Sequence, residues 1–195
     1  MKLDPKSVDY VLTTTRSVRL RLDFDRPVDP QIILDCIDIA EQAPTGGNIG
    51  SRRWIVITDP KRKKQISELY LKSAGNWMIT ARDRLSGTGH PNEKMFKSAA
   101  FLAENLQRSP AIVIPAIIGI HDNSGRPGLF DSVIQSAWSF CLALRARGLG
   151  TAWTTAILSE GDELKEILDL PKETTEIAMF PVAWTKGLDS VSYTH

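Results

Sequence analysis

The chain has 195 residues, 42% of them hydrophobic and 24% charged, which suits one buried core in a single domain over residues 1–195. Its 24 basic and 23 acidic side chains leave a net charge of +1, so bulk charge gives no basis for binding nucleic acid or an anionic membrane. The N-terminus Met1-Lys2-Leu3-Asp4-Pro5-Lys6 lacks a signal-peptide core, and no stretch approaches the roughly 20 apolar residues of a membrane span, so a cytoplasmic location is expected.

Val8, Val11 and Leu12 share one face of a short helix predicted over residues 7–15. Asp29-Pro30 starts the next helix, an N-cap acid followed by proline at the first helical position, and Ile32, Ile33, Cys36, Ile37 and Ala40 give it one apolar stripe until Pro44. Trp54-Ile55-Val56-Ile57 reads as a short buried strand. A second Asp-Pro pair, Asp59-Pro60, opens a helix through Ile66, Leu69 and Tyr70, with Lys61-Arg62-Lys63-Lys64 as its solvated first turn. Residues 73–92 follow no clear period, and Gly87, Gly89 and Pro91 mark a loop.

Met95, Phe96, Ala99, Leu102 and Leu106 define another amphipathic helix, ending before Ser109-Pro110. Ala111 to Ile120 is a central strand in which Pro115 implies an edge or a bulge, and His121 to Pro127 is a polar loop. The longest helix runs from Leu129 to Arg147 and is apolar on more than one stripe, with Gly148 as its C′ residue. A helix over residues 160–168, stopped by Pro171, and a last strand from Glu176 to Trp184 complete an α+β pattern. Cys36 and Cys141 lie on apolar helix faces, as small buried hydrophobes. His90, His121 and His195 lack metal-ligand spacing.

Phosphate-loop, dinucleotide and nucleophile-elbow motifs are all missing, which leaves three segments able to hold an anionic, planar ligand. Arg16-Ser17-Val18-Arg19 offers two guanidinium forks and a hydroxyl for a phosphate, or is a pair of surface arginines. Pro44-Thr45-Gly46-Gly47-Asn48 offers backbone donors and a carboxamide to a heterocycle, or is a plain helix-stop loop. Gly148 to Thr155 combines two glycines, three threonines and Trp153, and reads as a ligand wall or as a tight turn with a core tryptophan.

Arg-Ser-x-Arg, Ala-Pro-Thr-Gly-Gly-Asn and Gly-Leu-Gly-x-x-Trp, in this order, resemble the nitroreductase family over about Thr15 to Lys186. The resemblance implies a homodimeric flavoprotein with a central mixed β-sheet flanked by helices, FMN at the subunit interface, and chemistry carried by the flavin with no catalytic side chain. NADH or NADPH would reduce it, and a nitroaromatic, quinone or similar small-molecule electron acceptor would reoxidise it. Arg16, Ser17 and Arg19 would hold the phosphate and ribityl end, with Lys186 as a further cation. Pro44, Thr45, Gly46 and Asn48 would reach the partner's flavin, while Trp153, Thr154 and Thr155 would line its ring system.

The alternatives are a reductive dehalogenase or flavin-consuming relative, with residues 73–92 as a lid or variable insertion, and a non-catalytic flavin-binding regulatory protein. The family pattern continues Asn-x-Gln-(Pro or Gly)-Trp, whereas this chain has Asn48-Ile49-Gly50-Ser51-Arg52 before Arg53-Trp54-Ile55-Val56.

Overall fold

Three Asp-Pro pairs start helices in the same way. In the computed structural model, which describes residues 4–119 and 128–187, the carboxylates of Asp4, Asp29 and Asp59 accept from the first-turn N–H groups of α1 (Pro5–Thr14), α2 (Pro30–Ala40) and α3 (Pro60–Tyr70). The first of these sets α1 two residues ahead of the start predicted from apolar spacing. Between α1 and α2 lies the two-residue β1 (Leu22–Asp23), and β2 (Arg52–Ile57) precedes α3.

The chain then continues through α4 (Asn76–Leu85), α5 (Glu93–Asn105), β3 (Ala111–Ile118), α6 (Gly128–Ala146), β4 (Leu149–Gly150), α7 (Gly161–Leu168), β5 (Thr174–Glu176) and β6 (Phe180–Thr185). The predicted loop at residues 121–127 lies outside the described residues. Gly148 follows α6 with φ +80°, as a C′ glycine does.

β3 is the spine of the sheet. It pairs with β2 along one edge and with β5 and β6 along the other, and β6 also carries β1 and β4. Every pairing among the described residues is antiparallel. Alternation along β3 divides the core: Ile112 and Ile114 face α3, α5 and α7, while Ala111 and Val113 face α2 and α6.

The strand predicted from Glu176 to Trp184 is two strands, because the apolar run Ile177-Ala178-Met179 stays buried without continuing the ladder. Pro115 sits opposite that break. It has no N–H to offer there, and its carbonyl accepts from Ile177 N–H at 2.9 Å.

Residues 73–92 are more ordered in backbone than their composition suggested. A single π turn, Leu71–Gly75, joins α3 to α4. One extra residue in a turn rotates everything after it, so a single 3.6-residue period does not run through both helices. The loop that follows is closed by Glu93, whose carboxylate accepts from Gly87 N–H (2.9 Å) and Gly89 N–H (3.1 Å).

Glu176 is an uncommon burial on β5. Its side chain is 4% exposed, with Oε2 3.5 Å from Lys165 Nζ and Oε1 without a partner among the described residues. Burial raises its pKa above the usual carboxylate range, against the opposing pull of Lys165. A raised folded-state pKa contributes stability that is complete below the unfolded pKa and lost as pH rises through the folded one. Glu176→Gln is therefore expected to melt close to wild type near pH 4 and progressively above it towards pH 8. A difference that does not grow with pH would contradict this account of Glu176.

Candidate anion cleft and the glycine turn

The Arg16–Arg19 segment leaves α1 and runs beside β4, tied there by Val18 N–H to Thr151 O at 2.8 Å. The approach requires a glycine. A Cβ on Gly150 would lie 2.5 Å from Thr185 Cγ2 and 3.3 Å from Val18 Cβ, both inside van der Waals contact. The packing leaves a cleft open to solvent, bordered by Arg16, Ser17, Arg19, Thr151 and Trp153.

Two arginines that the motif did not contain, Arg21 and Arg145, also border the cleft, and no Asp or Glu does among the described residues. Arg145 comes from the last turn of α6, where a cation also meets the negative end of the helix dipole. Thr151 Oγ1 is buried and has no hydrogen-bond partner among the described residues. Cys141 borders the same cleft, and burial pushes its thiol up to about 12, so it stays neutral and unreactive. Both cysteines are free and buried, as expected.

Trp153 closes one wall, its ring packed edge-on against Phe180 at 5.1 Å between centroids. Thr154 is buried and held in both directions to Met179, by Thr154 N–H to Met179 O (3.2 Å) and Met179 N–H to Thr154 O (2.8 Å). Thr155 is exposed and starts the next helical turn. Lys186 stands apart. Its Nζ is 3.4 Å from Asp23 Oδ1 and its side chain is 59% exposed, although its neighbours Thr185 and Gly187 border the cleft.

The glycine turn lies elsewhere. Pro44, Gly46, Gly47 and Asn48 are exposed and Thr45 half-buried, with Gly47 (φ +61°) and Asn48 (φ +56°) in the left-handed region. Side chains from α6 hold its backbone: Ser136 Oγ donates to Ala40 O (2.8 Å), Gln135 Nε2 to Pro44 O, and Gly46 N–H donates to Ser132 Oγ (2.9 Å).

From the other side, the buried Arg52 donates through Nη2 to the carbonyl of Glu41 (2.9 Å), the C-cap of α2, and to that of Ala43 (3.0 Å) in the segment after it. Trp54 Nε1–H donates to Glu41 Oε1 at 2.7 Å, and Arg52 Nε lies 3.4 Å from the same oxygen. Arg52 occupies the place of the tryptophan in the family pattern.

Sequence reading did not single out Ser132, Gln135, Ser136 or Arg52. The signal was present as a polar set at i, i+3 and i+4 inside an otherwise apolar helix. Ser132, beside the turn, and Arg145, in the cleft, are thirteen residues apart on α6, or about 20 Å at the helical rise. The structure thus brings Arg16, Ser17, Arg19 and Trp153 to one cleft, places Thr154 and Thr155 directly after it, and sets Pro44, Thr45, Gly46 and Asn48 at the far end of α6.

The fold is α+β, with an arginine-lined cleft beside β4. The family model for the nitroreductase family matches residues 12–184, and the chain belongs to that family, whose members are oxidoreductases. A curated relative, iodotyrosine deiodinase of Nematostella vectensis, is 21% identical over 193 residues, covering 94% of this chain and 69% of that protein.

Among solved structures, iodotyrosine deiodinase bound to FMN and 3-iodo-L-tyrosine superposes with a TM-score of 0.69 at 19% identity, covering 91% of this chain and 89% of that one. An FMN and NADPH-dependent nitroreductase from sphigopyxis sp. strain HMH gives 0.66 at 19% identity, covering 94% and 89%. At these identities the superpositions establish the fold. Among the described residues no helix is long and apolar enough to cross a membrane.

The close approach at Gly150 yields a direct test. Gly150→Ala is expected to lose about 1–3 kcal/mol of stability through overpacking against Thr185 and Val18. Thermal or denaturant unfolding measures it, and wild-type stability would mean that β4 and the 16–19 segment are not in this contact.

Proposed function

We propose that the chain is an FMN-dependent oxidoreductase, reduced by NADH or NADPH and working as a homodimer whose two sites each use both chains. The observation that carries this reading is the cleft. It gathers guanidinium groups, the Ser17 hydroxyl and the unclaimed Thr151 Oγ1 around one space, with no carboxylate among its described borders. That donor set fits a phosphate ester with a polar tail, and the Trp153 wall fits a planar ring system.

Arg16, Ser17 and Arg19 would hold the phosphate, with Arg21 and Arg145 as further cations on the cleft and Lys186 engaged with Asp23. Thr151 would donate to the ribityl chain, and Trp153, Thr154 and Thr155 would border the isoalloxazine. FMN, when bound, supplies a two-electron carrier that accepts hydride from the nicotinamide and delivers electrons to an acceptor. The chain's own part is to neutralise the phosphate and orient the ring, while the neutral Cys141 thiol stays unreactive beside it.

None of Pro44 to Asn48 borders the arginine cleft, which supports the turn's serving a second copy across a two-fold axis. Exposed apolar side chains point the same way: Ile49 beside the turn, Leu34 and Ile39 on α2, and Ile134 and Trp138 on α6 are all more than 40% exposed. α1 adds Val8, Tyr10 and Leu12, and none of its residues is buried in the single chain. An isolated amphipathic helix with no buried face gains little by folding alone.

Nitroaromatics and quinones are the acceptors proposed first. The deiodinase relatives favour a second reading, reductive dehalogenation of a halogenated aromatic. Discharging the reduced protein with 3-iodo-L-tyrosine, a nitroaromatic and a quinone in parallel separates the two.

The purified protein is expected to carry one FMN per chain and to bleach on addition of NADH or NADPH. A colourless protein that FMN cannot reconstitute overturns the proposal, and bound FMN that neither nucleotide reduces makes the chain a flavin-binding protein without turnover. Arg16→Ala and Arg19→Ala should each weaken FMN binding by about ten- to a hundredfold, the worth of one charge-assisted bond. Lys186→Ala should stay within about twofold of wild type, because a surface ion pair is all it loses. The reverse order of effects would move the phosphate site to Lys186.

A further inference from the structure

We infer that Tyr70 is a positioning residue for the Trp153–Thr155 wall, and that the helical stretch 71–85 buttresses that wall instead of opening as a lid. The inference rests on the flavin reading above for what the wall faces, and on contacts within the chain for how the wall is held.

Tyr70 is the last residue of α3 and is 2% exposed. A buried phenol keeps its hydroxyl there only if something polar receives it. Two groups do. Tyr70 Oη lies 3.3 Å from Thr154 Oγ1 and 3.8 Å from Met78 Sδ, and the oxygen is the stronger acceptor of the two. Thr154 Oγ1 in turn takes Ala156 N–H at 3.5 Å. One hydroxyl therefore links α3, the wall and the turn after it. The wall backbone is pinned to Met179 on its sheet side, so Tyr70 supplies the hold from the helix side.

The π turn explains how this contact is reached. It begins immediately after Tyr70, and its last residue, Gly75, is packed so that a Cβ would sit 3.2 Å from Ala103 Cβ and 3.0 Å from Leu71 Cδ2. The turn is thus locked onto α5. π turns of this kind are over-represented at functional sites. The same junction is closed at the surface by Lys72, whose Nζ lies 2.6 Å from Glu163 Oε2 and 3.2 Å from Glu160 Oε2, both on the segment that follows the wall. A mobile lid would not be tied down by a buried hydroxyl, a glycine packed onto α5 and a lysine shared by two carboxylates. In this arrangement Tyr70, with the π turn locked behind it, fixes where Thr154 stands.

The test uses four variants: Tyr70→Phe, Thr154→Val, their combination, and Thr154→Ser. In the protein without flavin, Tyr70→Phe should speed amide hydrogen exchange at Ala156 and Met179, while amides within α3 exchange as in wild type. In the FMN-loaded protein, Tyr70→Phe and Thr154→Val should each weaken FMN binding by about two- to tenfold and change the visible circular dichroism of the flavin in the same way. The double variant should be no worse than either single one, and Thr154→Ser should resemble wild type.

Additive losses, or a Tyr70→Phe protein with unchanged exchange, affinity and flavin dichroism, would overturn the inference. If wild type binds no FMN while Ala156 and Met179 exchange still responds to Tyr70→Phe, the flavin reading fails and the buttress stands.

Discussion

Helix α6 sets the distances on which everything else depends. Its 19 residues form a rod about 28 Å long, packed through Ala137, Phe140, Cys141 and Leu144 against α2 and the sheet. Such burial leaves it no freedom to bend its two ends together. The arginine cleft borders α6 at Trp138, Cys141 and Arg145, the glycine turn is fastened at Ser132, Gln135 and Ser136, and none of Pro44 to Asn48 borders the cleft. Under the proposed reading a second chain supplies the turn, and the apolar surface on α1, α2 and α6 is where it would fit.

The two ends are built from different chemistry. At the cleft, side chains present charge and polarity: guanidinium groups border one space with a hydroxyl and a neutral thiol. At the turn, side chains are spent on holding the backbone in place, so that what remains to face outward is peptide and the Asn48 carboxamide. Arg52 belongs to this second task. Its Nη2 serves two carbonyls at the end of α2, and its positive charge lies at the negative end of that helix dipole. Nη1 remains without a partner among the described residues, an uncommon condition for a buried guanidinium.

Much of this was legible in the sequence wherever the signal is local. Asp29-Pro30 and Asp59-Pro60 start helices because capping and a fixed φ act within one turn. β3 was readable from its apolar run, but the edge or bulge expected at Pro115 is not there: β3 is central and pairs with β2 without a break through Pro115, and the interruption falls between the facing β5 and β6.

What stayed hidden is non-local. The division of the last apolar run into β5 and β6 is decided by pairing, to β3 on one side and to Thr154 on the other. The π turn after Tyr70 erases the period on which helix prediction relies. Arg21 follows the Arg16–Arg19 motif by two residues, but Arg145 joins them only because the chain returns to the same place more than a hundred residues later, and no spacing rule spans that distance. Gly150 must be bare for the Arg-Ser-x-Arg and Gly-Leu-Gly segments to touch, which ties two motifs to one contact.

The account stands or falls on the sharing of sites between chains. Subunit mixing tests it directly: one chain carries Arg16→Ala with Arg19→Ala, the other carries Thr45→Ala with Asn48→Ala, and each alone binds FMN weakly. In a mixed dimer the intact cleft of one chain meets the intact turn of the other, while the second site combines both defects. Random re-association at equal amounts should therefore restore tight FMN binding at about one site in four. FMN affinity that stays at the level of the weaker parents after mixing, or full affinity in a chain that sediments as a monomer, would contradict the shared site.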